Sequence, residues 1–236
     1  VVGSVVISLL FSFFVLKMKT GEFITGIAIN SFVTGATTYF LRQMFNVKGS
    51  LIDPRVAALP KWDIPIIRDI PVIGDIINGH AFPLYITFIL IVPLVYIAIY
   101  KTPFGLRLRA CGQDSKVIDS VGIKADKLKF TSIIICGVLC GIGGNFLSLG
   151  NMRMFTENMS NGRGWISLAI IILSGGNPVK VFIVCLIFGI TSGAGLTLQQ
   201  INIPNQFTDM LPYLAVLIAL YLNSRQNKKK NLSFTI

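Results

Sequence analysis

The chain has 236 residues, 53% hydrophobic and only 13% charged, with a mean hydropathy of +0.72 and a formal net charge of +11. Soluble domains carry roughly 25% charged residues, so long apolar blocks at this composition exclude a soluble globular domain and predict an all-α, polytopic helical membrane protein. The basic residues sit mostly beside apolar segments, where they set topology and meet the headgroups of membrane lipid, which excludes nucleic acid as the partner of that charge.

Val1 to Leu16 is apolar and starts abruptly, without an initiator Met or a basic leader. It does not read as a signal peptide, and the expectation is a chain that lacks N-terminal residues. Glu22 to Arg42 is a second, less hydrophobic segment. Gly26, Asn30, Thr34 and Thr38 recur every fourth residue along it and share one helix face. Small and polar residues on one face suit either close helix packing or the wall of a wet path. Asn30 is the sharper case, because an amide at membrane depth needs a partner, whether a neighbouring helix or a substrate.

Residues 43–81 form a polar interval rich in proline, with Arg and Lys nearly balanced by four aspartates and with Trp62 beside a charged pair. This pattern predicts an external loop on the membrane surface, either a plug over helix ends or a surface that receives a partner. Phe82 to Tyr100 is a clear span that Pro93 is expected to kink, with Tyr96 and Tyr100 as interfacial aromatics. Residues 101–129 hold seven Lys and Arg against three acids, and the positive-inside rule makes this loop cytoplasmic. A short helix is legible within it. Asp114 is the N-cap, Ser115 to Val121 give about two turns, and Gly122 stands where a left-handed residue would end them. Val117, Ile118 and Val121 form an apolar stripe on that helix. The stripe suits a docking knob for a soluble partner; the plainer reading is a solvated connection between two spans.

Phe130 to Leu149 is the next span. Gly137 and Gly141 give a GxxxG contact face, and Asn145 is a second intramembrane amide beside a glycine pair that can unwind the helix. Gly164 to Leu173 is too short for an upright crossing and ends in Ser174-Gly-Gly-Asn-Pro178, as a broken or re-entrant element does. Val179 to Leu198 and Met210 to Leu222 are further spans, and the tail with Arg225 and Lys228 to Lys230 must be cytoplasmic. Counting the short segment near 164–178, the charge pattern is satisfied by about seven crossings in a single transmembrane domain, 1–236.

The search for catalysis is empty. The chain has no phosphate-binding G-x-x-x-x-G-K-[ST] loop, no H-E-x-x-H, no G-x-S-x-G and no paired intramembrane carboxylates. Of the cysteines, Cys136, Cys140 and Cys185 lie in apolar segments and Cys111 in the basic loop, and all read as small buried hydrophobes. His80 is the sole histidine. No metal site and no cofactor are expected, and the energy for any transport should come from another subunit.

The stretch Thr102-Pro-Phe-Gly-Leu-Arg-Leu-Arg-Ala-Cys-Gly112, with Asp114 and then Val121-Gly-Ile123, closely resembles the cytoplasmic loop of ABC importer permeases of the ribose, branched-chain amino acid and nucleoside type. Thr102, Phe104, Gly105, Arg109, Ala110, Gly112, Gly122 and Ile123 match that pattern, and Cys111 stands where the family often has Val. Thr25-Gly-Ile-Ala-Ile-Asn30 and Gly162-Arg-Gly-Trp-Ile-Ser-Leu-Ala169 through Gly176-Asn-Pro178 are similar to elements of the nucleoside and simple-sugar branch. The resemblance covers nearly the whole chain.

It implies a permease subunit, not itself an enzyme, in a bacterial plasma membrane. The subunit pairs with a second permease, docks on a cytoplasmic ATPase and receives substrate from an extracytoplasmic binding protein or lipoprotein. The family usually has more N-terminal sequence, so no substrate contact there carries over. The helix from Ser115 would be the coupling helix, with Gly112, Asp114, Ser115, Val117, Ile118, Val121 and Gly122 as its residues. Candidate path residues for a nucleoside or sugar are Asn30, Thr34, Asn145 and Trp165, through amide hydrogen bonds and stacking. A branched-chain amino acid or other small solute is the alternative cargo, and an ATP-independent channel or facilitator the alternative mechanism.

Overall fold

The computed structural model describes residues 1–46, 49–51, 90–152 and 154–199, together with Met210 and Leu214. The loop expected at 43–81, the first half of the 82–100 span, most of the last span and the basic tail therefore lie largely outside the described residues. Two compact units are resolved, Val1–Asn161 and Gly162–Ile236.

The first unit opens with α1 (Val2–Ser12), which widens into a π-helical turn at Phe13–Lys17. Lys19 then adopts a left-handed φ of 53°, and the chain reverses into α2 (Glu22–Phe45). At 24 residues and 1.5 Å per residue, α2 is about 36 Å long, enough to cross a bilayer core. It ends where Asn46 turns left-handed with φ 53°. A two-residue strand β1 (Ser50–Leu51) then pairs antiparallel with β2 (Phe155–Thr156). The described part of the next span is α3 (Val92–Tyr100), with Pro93 in its first turn and π-type turns at 90–91 before it. That is the local departure from regular helix the proline predicts.

Three helices follow where the sequence predicts two, the short helix from Ser115 and the span expected from Phe130, which begins at Ala125 instead. The three are α4 (Pro103–Gln113), α5 (Ser115–Ser120) and α6 (Ala125–Asn145). α6 continues as π-helical turns over Phe146–Met152, immediately after the Gly143-Gly144-Asn145 stretch. The helix thus loosens where the glycine pair suggests, without a full break. In the second unit, α7 (Arg163–Ser174) has 12 residues and is about 18 Å long, too short to span. Gly175 and Gly176 stop it with φ of 60° and 72°. Asn177 Oδ1 then accepts the Val179 amide at 3.0 Å and caps α8 (Pro178–Gln199).

Among the described residues, Ala125–Leu149 and Pro178–Gly195 pass a length and hydropathy test for spanning, with mean hydropathies of 1.9 and 1.8. Only 11% of each such stretch is buried within the chain. A soluble protein's core helix would be wrapped by its own chain; these are left to face lipid or other subunits.

Two structures hold the first unit together. One is the seam between α1 and α6. Ser4, Ser8 and Ser12 recur every fourth residue on α1, and a β-carbon built on Gly137 or Gly141 of α6 would collide with Ser8 or Ser4. Ser4 and Ser8 donate their hydroxyls back to Val1 O and Ser4 O, at 2.6 and 2.9 Å. Small residues on both helices thus let the backbones approach closely, as the GxxxG reading predicts. The other is the elbow of α4, α5 and the start of α6.

Candidate functional site: the α4–α5 elbow

The elbow begins with a cap. Thr102 accepts the Gly105 amide at 3.2 Å while its own hydroxyl donates to Ala98 O, so one side chain links the end of α3 to the first turn of α4. Pro103 follows at the first helical position, where its missing N–H costs nothing. Gly105 packs directly on α3. A β-carbon there would overlap the carbonyls of Ala98 and Ile99. Arg109, one turn further, lays its guanidinium over the Tyr100 ring at 4.7 Å, and Tyr100 stacks on Tyr96 at 5.1 Å. The Thr-Pro-Phe-Gly…Arg pattern is thus a device that locks α4 against α3.

Asp114 ends α4 in extended backbone and begins α5, its carboxylate accepting the Lys116 amide at 2.9 Å. α5 ends at Ser120, one residue earlier than expected, and Gly122 takes φ 81°. The amides of Gly122 and Ile123 bond back to Asp119 O and Ile118 O, so the left-handed residue closes the helix as the sequence predicts. The side chain of Asp119 reaches forward to the Ala125 amide at 2.9 Å and caps α6. Short helices leave most of their end groups orphaned; here side chains on both sides of α5 satisfy several of them.

The apolar stripe on α5 divides. Ile118 is buried, 6% exposed, in a cluster with Cys111, Ala125 and Leu128, flanked by Phe104, Ala110 and Ile123. Val117 and Val121 are 54% and 70% exposed. Ile118 is therefore the anchor, and the outward face is Val117 and Val121, one turn apart. Gly112, Asp114 and Ser115 complete the approach to α5, with Gly112 exposed and its would-be β-carbon in open space. Cys111 is a small core hydrophobe, which is why Val also suits that position in the related pattern.

The expected path residues are placed as follows. Asn30 and Thr34 are exposed on α2, with the Thr34 hydroxyl donating to Asn30 O at 2.8 Å. Asn145 is exposed at the end of α6, where the helix passes into π turns. Trp165, 49% exposed, lies in the first turn of α7 in the second unit. The hydroxyls of Thr34 and Thr37 are spent on their own helix; the amides keep the richer hydrogen-bonding capacity. Among the described residues no group of three or more His, Cys, Asp or Glu is arranged to hold a metal ion.

A profile described as "Branched-chain amino acid transport system / permease component" matches residues 1–220. The chain belongs to that family. It is 30% identical over 213 residues to the guanosine ABC transporter permease protein NupQ of Bacillus subtilis, covering 87% of this chain and 65% of that protein. It is 29% identical over 212 residues, with the same coverage, to the nucleoside ABC transporter permease protein NupC of Lactococcus lactis. A putative glucose ABC transporter permease protein, TsgC13 of Haloferax volcanii, is 24% identical over 196 residues, 81% of this chain and 57% of its own length. The chain thus spans about two thirds of the length of NupQ and NupC, 65% in each case. No solved structure matches. With the family, the fold class stands as a polytopic helical membrane protein.

Proposed function

We propose that this permease-family chain is the membrane-spanning subunit of an ATP-driven ABC importer that moves a nucleoside or a simple sugar across a bacterial plasma membrane. The observation that carries the proposal is α5, a capped two-turn helix anchored by Ile118 that presents Val117 and Val121 outward. Burying a valine stabilises a contact by about 1.5 kcal/mol or more, so two on a rigid knob suit a groove on a moving ATPase. The names of NupC, NupQ and TsgC13 support the cargo class.

In this reading 1–236 is one permease domain, with loop 43–81 outside and loop 101–129 and the C-terminus in the cytoplasm. ATP hydrolysis resides on the docked ATPase; a second permease and an external binding protein or lipoprotein complete the assembly. Closure of the ATPase dimer moves α5, and the Thr102, Gly105 and Arg109 contacts pass that motion to α3 as a rigid-body tilt. Asn30, Thr34, Asn145 and Trp165 are the path residues, the amides bonding a ribose or base and the indole stacking on it.

The test is uptake of labelled nucleosides, pentoses and branched-chain amino acids in cells carrying the full operon, comparing wild type with Val117→Asp/Val121→Asp. We expect nucleoside or sugar uptake to fall at least tenfold while the protein remains in the membrane and loses its ATPase on purification. Unchanged uptake would remove α5 as the coupling element. Uptake of branched-chain amino acids alone would correct the cargo.

A further inference from the structure

Beside the elbow, two adjoining clefts of about 460 and 260 Å³ open between the end of α1, the start of α2 and the start of α6. Their common wall is Leu16 and Asp126. Leu16, near the end of the first apolar segment, and Phe130, half-exposed on α6 beside Lys129, make the apolar floor. Lys19, Lys127 and Lys129 make the rim. We propose that these clefts form a headgroup site for an anionic phospholipid of the cytoplasmic leaflet, a site distinct from the substrate path and from the ATPase-docking helix.

Three observations support it. First, the level is right. The floor is apolar and the rim cationic, within one turn of each other on α6, so the site straddles the boundary between hydrocarbon and headgroups. Second, the lysines are available. Among the described residues the one ion pair is Arg42–Glu157 at 3.8 Å, so Lys19, Lys127 and Lys129 have no described carboxylate within bridging distance. The hydroxyls of the lining are occupied, Thr20 donating to Phe14 O and Thr131 to Lys127 O, both at 2.9 Å. The ammonium groups are left as the donors. Third, the charge complements a phosphodiester. Glu22 and Asp126 also line the clefts, but each sits in the first turn of its own helix, whose N-terminal partial charge offsets it. The three lysines outnumber the two carboxylates, and the helix N-termini add to that excess, so the lining is net positive. Basic clefts between spans on the cytoplasmic side are built to hold acidic headgroups, with the acyl chains lying along the apolar floor.

The choice of leaflet rests on the topology of the function proposed above. The test uses the protein purified with the subunits that accompany it, in discs of phosphatidylcholine with a minor fraction of phosphatidylglycerol. Retained lipids are counted by native mass spectrometry. Wild type should keep phosphatidylglycerol selectively. At about fivefold per lysine near the surface, K19Q/K127Q/K129Q should lose on the order of a hundredfold in that selectivity. K19R/K127R/K129R should keep it, and so should K228Q/K229Q/K230Q, which removes the same charge from the C-terminal tail. Equal retention by the cleft variant overturns the site, as does equal loss in the distant control. Displacement of the lipid by millimolar inorganic phosphate also overturns it, in favour of a site for a free anion. The readout does not depend on uptake, so it stands or falls separately from the transport reading. Labelling of K127C from outside the cell by an impermeant maleimide would remove the topology and the leaflet with it.

Discussion

The elbow and the α1–α6 seam are neighbours held together by opposite means. The elbow buries Cys111, Ile118, Ala125 and Leu128 and ties its helix ends with Thr102, Asp114 and Asp119. The seam buries Gly137, Gly141 and Ser12 and no large apolar side chain of α1. In the topology proposed above, the difference is the solvent. In water, removing apolar surface is favourable, so two short helices can be fixed to the start of α6 by a four-residue cluster and a few caps. In hydrocarbon, lipid is as apolar as leucine, so large side chains gain little by turning inward and helices associate through close backbone approach.

The comparison is tested most sharply where the two regions respond oppositely to apolar volume. Gly105→Ala should be the most damaging change, about 3 kcal/mol, because the new methyl meets the Ala98 and Ile99 carbonyls, which cannot rotate away; thermal unfolding in detergent would register it. Gly137→Leu adds hydrophobicity to the seam and should still destabilise by about 2 to 3 kcal/mol, since it pushes α1 off α6. Ile118→Ala removes hydrophobicity from the elbow and should destabilise by about 2 kcal/mol, the low end for such truncations because the cluster is small. If Gly137→Leu stabilised the protein, the seam would be held by apolar burial after all. Asp119→Ala should cost about 1 kcal/mol by uncapping α6; hydrogen exchange at the Ala125 amide would rise first. The smallest stability effect belongs to Val117→Asp/Val121→Asp, within about 0.5 kcal/mol per site, although its effect on uptake should be among the largest. A variant neutral for folding and lethal for transport is what a docking face requires.

Val117 and Val121 explain why the site was only partly legible in the sequence. Asp114, Gly122 and the two turns between them were readable because caps and left-handed residues are local chemistry. The stripe of Val117, Ile118 and Val121 was also readable, but its division was not. Which of three adjacent apolar side chains faces inward depends on where Cys111 and Leu128 lie, and those come from other helices. α4 went unread for a related reason. Its charges resemble a solvated loop, and its evidence is Thr102 and Pro103, a cap that marks a helix start only once α3 is known to end two residues earlier. Asn30, Thr34, Asn145 and Trp165 are read from the sequence as polar or aromatic residues expected at membrane depth. They remain spread over α2, α6 and α7, and nothing local to any of them says what it meets.

The sequence by itself determined the solvent, the helices other than α4 and the main breaks between them: apolar length sets what can span, basic residues set which end stays in water, and Gly175 with Gly176 end α7 because their left-handed backbone cannot continue a helix. Only the tertiary structure decided which small residues are contacts. Gly137 and Gly143 look alike in the chain, yet one meets Ser8 and the other meets nothing within 4 Å. A missing side chain has no signature until another backbone arrives to fill the space.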